Sequence, residues 1–391
     1  MAVAGAGAFG SNHLRVYREL EEASERVALV AAVEPDAARA VQAAEKYAIP
    51  VFLSVDELLK ADLKLDAATV AVPTVHHHAV ASTLLDAGLD VLVEKPLAAS
   101  LAEANDLCAR AEKGGRILQP GHLERFNPAV LAIEPKLRRP MFFEAHRLSV
   151  FTPRSLDVDV VLDLMIHDLD IVLKFADSPV REVRAVGLPI LSPKVDIANV
   201  RVEFESGCVA NFTASRVSTE RVRKLRFFEP RRYVSIDYAR RDVLIIGIEE
   251  GAGKSSPADL LAALPPEALE KLPAAIREGI ASGKIDLKKV DPDLIAQFAA
   301  MAGIDAGVIA QLTGSGAANM GLSFSKPEVT PGEPLRLELE AFVESVRTRR
   351  APRVTARQAR DALALALEIQ VTMAAHAKRA GLKDFFNSGA Q

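Results

Sequence analysis

An α/β fold in two parts is predicted by three observations. The chain opens with an apolar run, Ala2-Val-Ala4, that enters a glycine-rich turn, Gly5-x-Gly7-x-x-Gly10, and then a helical pattern through Leu14, Tyr17 and Leu20. From there to Gly121, strand-like and helix-like segments alternate, the pattern of a doubly wound parallel sheet. Beyond Gly121 the segments are short, rich in β-formers and separated by Gly, Pro or charged turns, which predicts a large, mostly antiparallel open sheet. The expected division is a parallel-sheet domain over 1–121 and a C-terminal α/β domain over 122–391. A length of 391 residues exceeds one ordinary core and agrees with two domains.

Taken in order, the first strand leaves almost nothing before Ala2, so it is either frayed or preceded by further residues. The turn that follows fits a dinucleotide-binding, or Rossmann, fingerprint. Its glycines permit a tight turn and close approach of backbone to a pyrophosphate, and the helix start adds N–H donors and a positive dipole end. Gly5, Gly7, Ala8, Phe9 and Gly10 are therefore cofactor-binding candidates. The apolar run Val27–Val33 ends in Glu34, near the fingerprint's spacing of about 20 residues for the acid that binds the ribose. An acid there favours NAD over NADP by repelling a 2′-phosphate, whereas Asp36 suits a helix cap. The alternation continues as helix Asp36–Tyr47, strand Ala67–Val72, helix His78–Ala87, strand Asp90–Val93 and helix Leu101–Lys113.

The second part reads as strands at Met141–Ser149, Val183–Val186, Asn199–Glu205, Val209–Ser215, Leu225–Phe228, Tyr233–Tyr238 and Val243–Ile246. In Asn199–Glu205, Val200, Val202 and Phe204 alternate with Arg201, Glu203 and Glu205, so one face is core and the other meets solvent or a partner. About residues 249–320 the composition turns to Ala, Leu, Lys, Asp and Gly, which suggests a helical insertion. Its Gly251-Ala-Gly253-Lys254-Ser255 is not a Walker A loop, because that loop needs a glycine where Ile248 stands. Leu322–Phe324 resumes the sheet, and two helices follow at Leu335–Arg347 and Thr355–Ala380.

The formal net charge is −4, which offers no general attraction to nucleic acid or anionic membrane. Cys108 and Cys208 are isolated, both read as core residues, and fit a reducing cytoplasm. Neither a secretory leader nor an apolar run long enough to span a bilayer is read, so the expected location is cytoplasmic.

The chemistry gathers at two places. In Asp163-Leu-Met-Ile-His167-Asp168-Leu-Asp170, a helix puts Asp163 and His167 on one face, a carboxylate beside an imidazole in an apolar segment. Alone, such a pair reads most simply as self-satisfied core. Glu94-Lys95-Pro96 follows the apolar Val91-Leu-Val93, at a strand's carboxyl end where a doubly wound sheet opens its ligand crevice. A surface Lys95 partnered by Glu94 is the default for that tripeptide alone. Together with the glycine turn, the two motifs point to a site.

The order Gly5-x-Gly7-x-x-Gly10, Pro73-Thr-x-x-His77, Glu94-Lys95-Pro96, Arg125-Phe-Asn127-Pro128 and Asp163-x-x-x-His167-Asp168-x-Asp170 resembles the glucose-fructose oxidoreductase/inositol dehydrogenase/MocA family. The resemblance implies a Rossmann domain followed by an α/β domain whose open sheet forms a homo-oligomer, dimer or tetramer. It implies NAD-dependent oxidation of a secondary alcohol, with Lys95, Asp163 and His167 as catalytic residues. Pro73, His77, Glu94 and Lys95 would lie near the cofactor. In chemical terms, neutral His167 would accept the hydroxyl proton, Asp163 would orient the imidazole, and Lys95 would stabilise charge on the substrate oxygen. Metal ligation by Asp163, His167, His122 or His146 lacks zinc-type spacing, so no metal is expected.

Within the family, residues 121–130 and 155–170 resemble the UDP-N-acetylglucosamine 3-dehydrogenase branch, which implies a nucleotide-sugar substrate on the way to a diamino lipid A. Arg125, Asn127, Arg147, Arg154 and Asp170 are the implied substrate contacts, and Arg147, Arg154, Arg216 and Arg221 are candidate cations for a diphosphate. A free polyol, a UDP-uronic acid, or a non-catalytic NAD-binding regulator are the alternatives.

Overall fold

The structure is a computed structural model that describes residues 1–24, 26–152, 158–248 and 322–382. The expected insertion at 249–320, the Gly251–Ser255 turn and Arg154 lie outside the described residues. Six parallel strands form the first sheet in the order β3-β2-β1-β4-β5-β6. They are β1 (Ala2–Ala4), β2 (Ala31–Val33), β3 (Val51–Phe52), β4 (Ala67–Val70), β5 (Asp90–Glu94) and β6 (Leu118–Gly121). Between them run α1 (Gly10–Ala23), α2 (Ala37–Tyr47), α3 (Val55–Lys60), α4 (His77–Asp86) and α5 (Leu101–Gly114). The strand order reverses between β1 and β4, and a ligand crevice opens at that point beyond the carboxyl ends of the strands.

β1 is not frayed: it pairs on both sides, with β2 and β4, and the Met1 amine donates to the Ala28 carbonyl at 2.8 Å. Only Ala31–Val33 of the expected Val27–Val33 is strand. β3, α3 and β6 were not anticipated, being too short to show a period. The helix starts follow local chemistry. The Asp36 side chain accepts the Arg39 N–H and caps α2, and Ser100 with Glu103 forms a capping box on α5.

Eight strands make the second sheet, in the order β14-β13-β12-β11-β7-β10-β9-β8. They are β7 (Phe142–Leu148), β8 (Val180–Leu188), β9 (Ile197–Phe204), β10 (Val209–Ser215), β11 (Val222–Glu229), β12 (Arg232–Asp237), β13 (Asp242–Ile248) and β14 (Leu322–Ser325). All neighbours are antiparallel except β7 and β10, which run parallel, so the sheet is not a simple meander. α6 (Pro128–Ile133) follows β6, and α7 (Ile166–Ala176) lies on the sheet. A π-turn, Val161–Met165, leads into α7. α8 (Pro334–Thr348) and α9 (Ala356–Arg379) close the described chain.

α9 ties the two sheets together. Its Ala359 and Leu363 enter the core of the first sheet, while Leu365, Ile369 and Met373 enter that of the second. Burial of each large aliphatic contributes about 1.5–3 kcal/mol, so this helix fixes how the sheets face each other. Among the described residues no helix is long and apolar enough to cross a membrane.

Beneath the crevice lies a buried polar layer. Glu338 of α8 is fully buried, and neither carboxyl oxygen has a hydrogen-bond partner. Gln119 of β6 donates to its backbone carbonyl at 3.2 Å. Burial first, then the nearby Glu94 and Asp170 carboxylates, hold the Glu338 carboxyl well above its usual range, so it is protonated. A raised pKa in the fold means full stability below the unfolded value and loss as pH rises toward the folded one. Glu338→Gln should therefore gain stability relative to wild type progressively above about pH 4.3, the unfolded carboxyl value. Thermal unfolding from pH 5 to 9 checks this, and a pH-independent difference would refute it.

Candidate active site

The glycine turn is tied to the crevice by sterics. At Gly5, with φ of +97°, a Cβ would lie 2.6 Å from the Ala71 carbonyl oxygen, and at Gly10 one would lie 1.9 Å from the Gly5 oxygen. Both positions need glycine for the turn to close against the end of β4. Gly7 differs: a Cβ there meets nothing within 4 Å, leaving open space over its backbone. That is the cradle a pyrophosphate requires, at the start of α1. Ala8 and Phe9 are exposed beside it, and Phe9 reaches the crevice.

Glu34 ends β2 and is buried against this turn. Its Oε2 accepts the Ala6 N–H at 2.9 Å, and its Oε1 accepts the Asp36 N–H at 3.1 Å and an Arg39 N–H at 2.9 Å. Burial pushes the carboxyl up, but Arg39 and the two backbone donors outweigh it and hold the pKa below its usual value. The glycine cradle and this ionised carboxylate fit a dinucleotide whose ribose carries free hydroxyls.

At the carboxyl ends of β4 and β5 opens a cleft of about 480 Å³, bounded on the other side by α7 and the second sheet. Pro73, His77, Glu94, Lys95, Asp163 and His167 all line it. The Lys95–Pro96 peptide is cis. Lys95 Nζ donates to the Asp163 carbonyl at 2.8 Å and lies 3.6 Å from its carboxylate. The expected Asp163–His167 contact is not formed. The π-turn widens the helix at Asp163, which rotates its carboxylate off the His167 face and toward Lys95.

His167 Nδ1 is buried without a partner, which leaves Nε2 as the ring nitrogen available to the cleft. Burial, then the charges of Lys95, Arg147, His122 and Arg223, holds the imidazole well below its ordinary value, so it is neutral. Glu94 points inward, not to the surface. Its Oε1 accepts from His13 Nε2 at 2.8 Å, and it packs so closely on Gly121 that a Cβ there would lie 2.9 Å from its carboxylate. His77 braces the turn, its ring nitrogens 2.9 Å from the Val72 oxygen and 2.8 Å from the Pro96 oxygen.

The expected substrate contacts need correction. Arg125 forms a bidentate pair with Asp170 at 2.6 and 2.9 Å, both buried behind the cleft. Asn127 is the cap of α6, accepting the Ala129 N–H and donating to Glu124 and the Tyr238 carbonyl. Arg147 touches the cleft wall, but its guanidinium is consumed by Asp168 at 2.7 and 3.0 Å and by Glu124 at 3.0 Å. Burial would lower its pKa, yet these carboxylates raise it and keep it charged. Arg216 is buried against the Val158 carbonyl and Asp196. Arg221 is exposed just before β11. Residues that sequence reasoning missed are His13, Glu338 and Arg223. Arg223 had a signal: it sits two and four residues before the apolar Leu225 and Phe227, on the face that meets α7.

A family model described as the NAD-binding Rossmann fold of the GFO/IDH/MocA oxidoreductases matches residues 1–122, and that of its C-terminal domain matches 131–230. The chain belongs to the GFO/IDH/MocA oxidoreductase family. It is therefore an NAD-dependent oxidoreductase. UDP-N-acetylglucosamine 3-dehydrogenase of Acidithiobacillus ferrooxidans is 36% identical over 64% of this chain and 77% of that protein. The solved structure of that enzyme aligns over 96% of this chain and 97% of its own, with a TM-score of 0.73 and 28% identity. Inositol 2-dehydrogenase of Acidothermus cellulolyticus is 31% identical over 46% of this chain and 54% of that protein. A crystal structure of the dehydrogenase WlbA from Chromobacterium violaceum, in complex with NADH and UDP-GlcNAcA, shares the fold, covering 96% of this chain and 93% of its own with a TM-score of 0.67 and 16% identity.

Gly7 separates cofactor binding from folding. Because a Cβ there meets nothing, Gly7→Ala should unfold within about 0.5 kcal/mol of wild type. The same methyl would stand where the pyrophosphate must approach, so NAD affinity should fall about tenfold or more. Calorimetric titration with NAD beside a melting curve checks both, and unchanged affinity would refute the cradle.

Proposed function

We propose that this enzyme oxidises a secondary alcohol of a nucleotide sugar, UDP-N-acetylglucosamine to its 3-keto form. The observation that carries the reading is the meeting of Lys95, Asp163 and His167 in one cleft at the carboxyl ends of β4 and β5. The substrate class is supported by the name of the 36% identical relative. Bound NAD supplies the hydride acceptor. The chain's own residues handle the proton and the oxygen. His167, neutral and with Nε2 unpaired among the described residues, takes the hydroxyl proton. The Lys95 ammonium, steered by the Asp163 carbonyl and carboxylate, donates to the substrate oxygen and stabilises its developing charge. Asp163 in this reading positions Lys95, in place of the imidazole. The first domain, 1–121, carries the cofactor. The second, 122–391, carries the substrate and joins copies into a dimer or tetramer through the outer face of its sheet. The enzyme works in the cytoplasm.

Purified protein with NAD, followed by NADH absorbance, should turn over UDP-N-acetylglucosamine and not myo-inositol, glucose or a UDP-uronic acid. Turnover of a free polyol alone would sink the substrate. Lys95→Met and His167→Gln should each lower kcat by about 10²–10⁴ with NAD affinity retained. Since the His167 pKa is lowered, its basic form persists below the ordinary imidazole value. The acid limb of kcat/KM should accordingly fall below pH 6.5. A limb above that value would remove His167 as the base of the free enzyme.

A further inference from the structure

We propose that Arg223 is the anion-recognition residue of the substrate site, gripping the diphosphate oxyanion of the sugar nucleotide. The inference rests on the nucleotide-sugar reading and assigns its specificity to a residue outside the catalytic trio. Arg223 stands on β11 directly opposite Arg147 of β7. Both project to the face of the sheet that carries Leu225, Phe227 and α7, and both line the cleft.

Their circumstances differ. Arg147 is buried and saturated by Asp168 and Glu124. Arg223 is partly exposed at the cleft, and among the described residues no carboxylate lies within ion-pair distance of it. The basic residues that follow on the same strand point to the opposite face and are matched there, Lys224 with Asp237 at 3.9 Å and Arg226 with Glu144 at 4.0 Å. Arg223 alone among these three is left to the cleft. Partial burial and the charge of Arg147 push its guanidinium below the ordinary value, with Glu124 and Asp168 as the opposing charges. Those two carboxylates are already committed to Arg147. A cation held beside another cation with no partner of its own is stabilised by an oxyanion from outside, and a planar fork suits a phosphate bidentately. The place is near the chemistry, since Arg223 is one of the charges that depresses His167.

The test titrates the NAD-loaded enzyme with UDP and, separately, with uridine, using wild type, Arg223→Ala and Arg223→Lys. Arg223→Ala should weaken UDP by about 10- to 100-fold, the range of a lost charge-assisted pair, and leave uridine and NAD unchanged. Arg223→Lys should fall between the two. With UDP-N-acetylglucosamine as substrate, KM should rise in proportion to the UDP loss while kcat moves far less. Equal weakening of UDP and uridine, or no weakening of UDP, overturns the assignment and leaves the nucleotide-sugar reading intact. If wild type binds no UDP, that reading fails by itself, and the same residue is judged on a sugar carboxylate. A preference for glucuronate over glucose that disappears in Arg223→Ala retains Arg223 as the oxyanion site. Its persistence in the variant, or its absence in wild type, overturns it.

Discussion

Two buried ion pairs fix where the chemistry happens. Asp168 and Asp170 stand directly after His167, and each takes an arginine bidentately: Arg147 from the second sheet and Arg125 from the turn after β6. The four side chains are almost wholly buried. Pairing in such a place does not guarantee net stability, because desolvation opposes it, but losing one partner strands a charge and costs about 3–5 kcal/mol. The pairs therefore act as a register. They lock the first turn of α7 against both the sheet and the linker, and His167 is held at the cleft as a consequence. The motif Asp163-x-x-x-His167-Asp168-x-Asp170 divides by direction, with two residues facing the cleft and two anchoring the helix that presents them.

The same division of labour recurs at Glu94-Lys95-Pro96. Glu94 turns inward to His13 and fills the space that glycine leaves at position 121, whereas Lys95 turns outward to Asp163. His13 belongs to α1, the helix that starts at the glycine cradle. The cofactor turn, the lysine and the floor of the cleft are thus joined through one buried contact between β5 and α1. Below it, the protonated Glu338 accommodates what would otherwise be a third buried negative charge near Glu94 and Asp170. Neutrality, rather than pairing, is how this layer keeps its electrostatic cost down.

Much of this was legible in the sequence, and the limits are instructive. The glycine turn, the strand-helix alternation and the alternating strands after Gly121 are local signals, and the sheets follow from them. Three short elements, β3, α3 and β6, span too few residues to display a period. The lysine and histidine of the cleft were readable because they sit in motifs. Direction was not: Arg125, Asn127 and Asp170 also sit in motifs and Arg147 in a strand, yet Arg125 and Asp170 pair with each other, Asn127 caps α6 and Arg147 is spent on Asp168 and Glu124, and no spacing rule reports that. The π-turn inserts its extra residue without any Gly or Pro to announce it, so the four-residue spacing of Asp163 and His167 misled. Arg223 belongs to no motif, and only its alternation with Leu225 and Phe227 marks the face it occupies.

The electrostatics of the cleft give these placements a common logic. Burial is the first cause that holds His167 neutral, and the charges of Lys95, Arg147, His122 and Arg223 add to it. A base so surrounded stays deprotonated in the free enzyme but is weak, because every neighbouring cation disfavours the imidazolium. Arg147 is already offset by its carboxylates, and Lys95 is partly offset by Asp163. Among the described residues, Arg223 is the cation of the three with no carboxylate at ion-pair distance. On the assignment of Arg223 to the substrate oxyanion, binding supplies the missing negative charge, and the proton affinity of His167 rises when the hydroxyl to be deprotonated arrives. Binding energy at a remote, unreactive group is then converted into basicity at the reacting one, a conversion that a free polyol without an anionic handle cannot make.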